Sequence, residues 1–107
     1  MKIKTIDINA LEWFDRVNGN SYFAATVTMN YGMTDAKKVI LPFQYGYGEH
    51  YRDMAMRELI TQKYITDAEF YKNGGSESIW NYCDRKGIIL RYSKQSNCLK
   101  RELKAIG

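Results

Sequence analysis

His50 is the only histidine of the chain, and Cys83 and Cys98 are its only cysteines. Acid–base or nucleophilic chemistry near neutral pH would have to start from these three side chains and the carboxylates. His50 is remote in sequence from both thiols, and neither cysteine lies in a nucleophile motif, so the pattern predicts no enzyme. The same spacing argues against a zinc site, and no cofactor is expected. Two cysteines without a CxxC spacing, in a chain whose start "MKIKTIDINA" lacks an apolar secretory core, are read as free thiols of a cytoplasmic protein. No apolar run approaches the roughly 20 residues of a membrane span.

Binding is the chemistry that the remaining residues offer. In "LPFQYGYGEHYRDMAMREL", residues 41–59, two tyrosines alternate with two glycines just before a helical pattern begins. Glycines ahead of a helix can let backbone N–H groups converge on a phosphate. Here Gly48 is followed by Glu49-His50 where a P-loop has Lys-Ser/Thr, and a glutamate in the first turn holds the electrostatic position a phosphate would take. Alternatively, the glycines only permit a strand-to-helix corner across which the tyrosines pack. Between these lies a contact patch. Nine tyrosines and two tryptophans in 107 residues exceed the needs of a core, and tyrosine suits interfaces. Tyr45, Tyr47, Glu49, His50, Tyr51 and Arg52 are its candidate residues.

A second candidate surface is cationic. From Arg85 to Gly107 seven cations stand against Glu102 alone, a net of +6, whereas residues 1–84 carry nine cations and eleven acids, a net of −2. Arg91, Tyr92, Lys94, Lys100, Arg101 and Lys104 interleave charge with an aromatic ring, which can stack bases and neutralise phosphates. Against a nucleic-acid partner, the pI of about 9.1 is moderate and no known nucleic-acid signature appears. Solvated lysines that keep a small protein soluble are the plainer reading.

The elements that must position these residues follow from periodicity. Ile6 and Ile8 alternate with polar residues, and Phe23, Ala25, Val27, Met29 and Tyr31 form one apolar face of a second strand. Asn18-Gly19 turns the first onto the second, although "NALEWFDRVNG" also fits a short helix capped by Asn9. A third strand places Val39, Leu41, Phe43 and Tyr45 on one face, and Pro42 assigns it to a sheet edge or a bulge. Tyr51, Met54, Ala55 and Leu59 mark a helix of about three turns. Thr66–Glu69 reads as a capping box for a short helical turn closed by Asn73-Gly74-Gly75. A helix through "IWNYCDRK" is capped by Ser76 or Ser78, closed by Gly87, and striped by Ile79, Trp80 and Cys83. "GIILRYS" is a last strand, and Leu99, Leu103 and Ile106 share a terminal helical face. The expected fold is one α+β domain, with a small antiparallel sheet (a three-stranded meander plus one C-terminal strand) covered on one face by two or three helices.

"WFDRVNGNSYFAATVTMNYG" followed by "LPFQYGYGEHYRDMA" resembles small accessory proteins of tailed bacteriophages, in which a Trp-Phe pair, a Gly-Asn turn and a Pro-Phe-x-Tyr-Gly-Tyr-Gly corner recur. The likeness runs from Trp13 to about Leu59. It implies a non-catalytic protein that binds, with a host or antiviral-defence protein as its inhibited target. Nucleic acid held on the basic C-terminal face and a small nucleotide immune signal are the alternative ligands. Self-association through the edge of the third strand is also open.

Overall fold

The computed structural model describes residues 1–106. Strands β1 (Thr5–Asp15), β2 (Asn20–Met29) and β3 (Lys37–Tyr45) form the meander, followed by helices α1 (His50–Thr61) and α2 (Ile79–Lys86), strand β4 (Ile89–Gln95) and helix α3 (Lys100–Ile106). The sheet order is β3-β2-β1-β4. Residues 10–17 do not form a helix: β1 runs to Asp15 and pairs with β2 over its last ten residues. The hairpin closes through Gly19 at φ 71°, and the Asp15 carboxylate accepts from the Val17 and Asn18 amides.

The expected all-antiparallel sheet is corrected at β4, which pairs with β1 in parallel, Thr5 opposite Ile89. The reason is the connection. Helices α1 and α2 return the chain to the end of the sheet where β1 begins, and such a crossover delivers a parallel neighbour. The sheet is therefore mixed.

Helix placement also differs from single-face coverage. Ile6, Ile8, Ala10, Phe23, Ala25, Val27, Met29, Val39 and Leu41 pack with Tyr51, Ala55, Met56 and Leu59 of α1 and with Ile79, Tyr82 and Cys83 of α2. Leu103 and Ile106 of α3 pack with Leu11, Trp13, Tyr22, Ala24 and Phe43, which alternate to the opposite face. That face is covered at one end only.

Pro42 points to a sheet edge or a bulge, and both hold: β3 is an edge strand, and its bulge has a consequence. Ala25 pairs with Leu41 but Phe23 pairs with Gln44, so β3 spends one more residue than β2 across this interval. An extra residue reverses the alternation. Val39 and Leu41 stay on the main core face, while Phe43 and Tyr45 turn to the other; the single face assigned to all four is corrected.

Three smaller expectations are corrected too. Tyr31 lies beyond β2 and is exposed, because Asn30 at φ 55° ends the strand. Thr66–Glu69 is not helical. Its acids turn to tertiary partners instead: Asp67 accepts from the Tyr82 hydroxyl (2.5 Å) and from Lys86 Nζ (2.6 Å). Glu69 and Glu77 exchange hydrogen bonds across a turn through Gly74, whose φ is 86°. The buried apolar stripe of α2 contains Tyr82 in place of Trp80, which is exposed. Ser78, one of the two serines considered, caps that helix through the Asn81 amide, and Gly87 at φ 69° closes it.

Candidate binding surface

Because the bulge turns Phe43 and Tyr45 away from the main core, they join a row of rings. Trp13 lies 5.5 Å from Tyr22, Tyr22 stacks on Phe43 at 5.1 Å, and Tyr45 meets Tyr22 edge-on at 5.8 Å. Tyr47 extends the row from Tyr45 at 6.4 Å. Helix α3 lays two cations over it, Lys100 Nζ at 5.3 Å from the Trp13 ring and Lys104 Nζ at 5.6 Å from Phe43. Tyr45 and Tyr47 are 55% and 67% exposed, whereas Tyr51 is 3% exposed and belongs to the core. The corner tyrosines and the terminal lysines therefore share one continuous surface, and Tyr51 contributes only to its support.

Arg52 goes elsewhere. Its guanidinium lies 4.5 Å from the Tyr92 ring centroid and 5.9 Å from that of Trp80, and it pairs with Glu49 at 3.0 Å. Glu49, Arg52, Asp53, Ser78, Ile79, Trp80 and Tyr92 line an open cavity of about 540 Å³. A neighbouring cavity of about 430 Å³ between Tyr45, Tyr47, Glu49, His50 and Asp53 links this cluster to the tyrosine corner.

Much of the cationic C-terminal segment is neutralised within the fold. Arg91 makes a two-pronged pair with Asp7 (2.6 and 2.9 Å), and Lys94 pairs with Glu12 at 3.0 Å and donates to the Gly48 carbonyl. Arg85 pairs with the buried Glu77, and Lys86 with Asp67. The Arg85 side chain holds the Glu77 carboxyl below its ordinary value. Hydrogen bonds from Lys86 and Tyr82 bring Asp67 down to about 2. Among the described residues, Lys100, Arg101 and Lys104 have no carboxylate within salt-bridge reach. Among its described residues the +6 segment thus presents three cations without an ion-pair partner, all on α3.

As an anion cradle the glycine corner is poorly equipped. The His50 amide already donates to the Tyr47 carbonyl and the Arg52 amide to that of Glu49. Gly46 is needed for close packing, since a Cβ there would lie 2.7 Å from both Phe23 and His50. Gly48, at φ 63°, has open space around it and supplies the positive φ. His50 is exposed, with its ring edge-on to Phe23 at 6.2 Å. Cys83 lies in the main core, where burial pushes its thiol up to about 11. Cys98 lies in the smaller core on the opposite face. Both cysteines are free, and the sheet separates them.

Trp13, Tyr22 and Phe43 were not among the sequence candidates, nor were Trp80 and Asp53. Phe43 was hidden by the bulge, which alternation alone cannot place. Trp80 offered a signal in retrospect, because it precedes the buried Tyr82 by two residues and so falls on the opposite side of α2. Comparison of the chain with protein-family models, curated proteins and solved structures finds no match. No described helix is long and apolar enough to cross a membrane, and no described group of His, Cys, Asp or Glu could hold a metal ion.

Proposed function

We propose that this chain is a phage-type accessory protein that acts by binding and inhibits a host or antiviral-defence protein. The contact surface comprises Tyr45 and Tyr47 together with Lys100, Arg101 and Lys104. The observation that carries the reading is the contrast among the C-terminal cations: four are neutralised internally, while among the described residues the three of α3 have no ion-pair partner. Two of those three, Lys100 and Lys104, lie over an aromatic row that ends in the exposed Tyr45 and Tyr47. Rigid rings with a polar tip, bordered by unpaired cations, suit the acidic, partly apolar surface of a folded protein.

Magnitude favours a protein over nucleic acid. Three phosphate contacts give a salt slope of only about −2 on a single strand, well short of binders that make roughly six to ten such contacts. Arg91 and Lys94, which a nucleic-acid groove would recruit, are held by Asp7 and Glu12. For a small nucleotide, the closed amides at the glycine corner and the Glu49 carboxylate offer little.

The test is titration against the captured partner. Lys100→Glu with Lys104→Glu should weaken a stoichiometric complex by about 2 kcal/mol or more, through unfavourable juxtaposition with the partner's acids. Tyr47→Ala should weaken it at unchanged salt dependence, and Arg91→Glu should leave affinity intact. Equal binding by the charge-reversed protein refutes the surface. Tight oligonucleotide binding with a steep salt slope refutes the partner class.

A further inference from the structure

The sheet has two free edges, and they differ. At β3, Pro42 lacks an N–H, its carbonyl accepts from the Gln44 side-chain Nε2 at 2.9 Å, and the bulge breaks the regular ladder. At β4 none of these devices is present: seven residues pair with β1 in unbroken register, without proline. The charges on β4 do not guard it either, because Arg91 and Lys94 reach inward to Asp7 and Glu12 of β1. Beside this edge lie three large side chains that the proposed contact surface does not use: Ile89, 58% exposed, Trp80, 54%, and Tyr92, 38%.

The ladder also fixes which backbone groups are free. The Ile89 amide donates to the Lys4 carbonyl, so in this parallel pair Ile89, Arg91, Ser93 and Gln95 turn their N–H and C=O toward β1. Leu90, Tyr92 and Lys94 turn theirs outward, and the set is centred on Tyr92. We propose that β4 pairs antiparallel with β4 of a second copy about a two-fold axis at Tyr92, giving a homodimer with one eight-stranded sheet.

In that register Tyr92 lies opposite its own symmetry mate, and Leu90 lies opposite Lys94 of the second copy. All three outward residues of each strand then fall in hydrogen-bonded pairs. Tyr92 and Trp80, whose rings are 6.0 Å apart, meet their counterparts on one side of the sheet. No two cations face each other in this register, since Lys94 lies opposite Leu90 and Arg91 opposite Ser93, and both cations are already paired within their own copy. The second copy is favoured over a foreign strand by this self-complementarity. The β3 edges and the Lys100–Tyr47 surfaces stay at the outer ends, free in both copies, so the inference stands independently of the proposed function.

Sedimentation velocity over a concentration series of the full chain should show a species of twice 12.5 kDa. Tyr92→Pro removes an outward N–H without touching the β1 ladder, and should raise the dimer dissociation constant roughly tenfold or more. A circular-dichroism spectrum would verify that this variant folds. Independently, Tyr92→Cys should cross-link under mild oxidation, because Cα atoms of such a pair lie about 5.5 Å apart, within disulfide reach. The buried Cys83 and Cys98 should not compete. A chain that stays monomeric throughout and does not cross-link at residue 92 overturns the proposal. So does a dimer that cross-links through Gln44→Cys and not through Tyr92→Cys.

Discussion

Gly46 and Gly48 stand two residues apart in one corner and obey different constraints. At Gly46 a methyl group would strike Phe23, which is fully packed, so Gly46→Ala should cost about 1–3 kcal/mol through overpacking. At Gly48 the space is open and only the φ of 63° resists substitution; Gly48→Ala should cost about 1–2 kcal/mol. Urea unfolding of the two variants measures both effects, and Gly48→Asn should recover part of the loss because asparagine tolerates that conformation. Asn30 is the other residue whose role is local and large. Its buried side chain accepts from the Lys4 and Thr5 amides and donates to the Lys2 carbonyl and to Asp35. Asn30→Ala would leave buried backbone groups unpaired, with an expected loss of about 2–3 kcal/mol in the same assay.

Titration follows from Asp67 and Tyr82. Asp67 is lowered from 3.8 to about 2, so the stability it confers is present above 3.8 and is lost as pH falls through that interval. Tyr82 is raised above 10.0, first by burial and then by its bond to Asp67, so its contribution is present below pH 10 and declines as pH climbs above it. Asp67→Asn should therefore flatten the acid limb of a stability–pH curve. An acid limb unchanged by that substitution would show that Asp67 does not anchor the 66–78 segment.

Among the elements, the extent and closure of α2 were legible because those signals are local, while its buried face was misassigned at Trp80 and its cap was open between Ser76 and Ser78. Ser78 accepts from Asn81, Gly87 closes the helix, and Arg85 and Lys86 fill the last turn. Ser78→Ala should cost about 1 kcal/mol of stability, measured by thermal melts. The start of β1, most of β2 and the turn at Asn18-Gly19 were readable from alternation, whereas residues 10–17 also fitted a short helix and Tyr31 falls outside β2. What sequence could not settle depended on distant partners. The Thr66–Glu69 pattern satisfies a capping box on paper, but Asp67 is claimed by Tyr82 and Lys86, and the backbone turns toward Glu77 instead. The direction of β4 depends on where α1 and α2 deliver the chain, and no residue of β4 encodes that. Pro42 signalled an edge or a bulge, yet the effect of the bulge on Phe43 and Tyr45 needed the partner register.

For the whole molecule, charge is the clearest case of misleading composition. The +6 of the last 23 residues suggests a broad basic face, but its strands and helices are stitched to the acids of the first 84 by pairs such as Arg91–Asp7 and Lys94–Glu12. Among the described residues of that segment, the cations without an ion-pair partner are those of α3, the helix that lies over the aromatic row. The molecule is a slab with extents of 42 × 37 × 20 Å, a shape that offers broad faces. That shape suits contact with another macromolecular surface.

The most direct test of the binding account is a paired capture from bacterial lysate, followed by calorimetric titration of the recovered partner. One arm uses the wild-type chain, and the other uses Lys100→Glu with Lys104→Glu and Tyr47→Ala. The account predicts a stoichiometric protein complex for the wild type that the triple variant fails to form while remaining folded. An identical complex with the variant, or an eluate in which nucleic acid replaces protein, would contradict it.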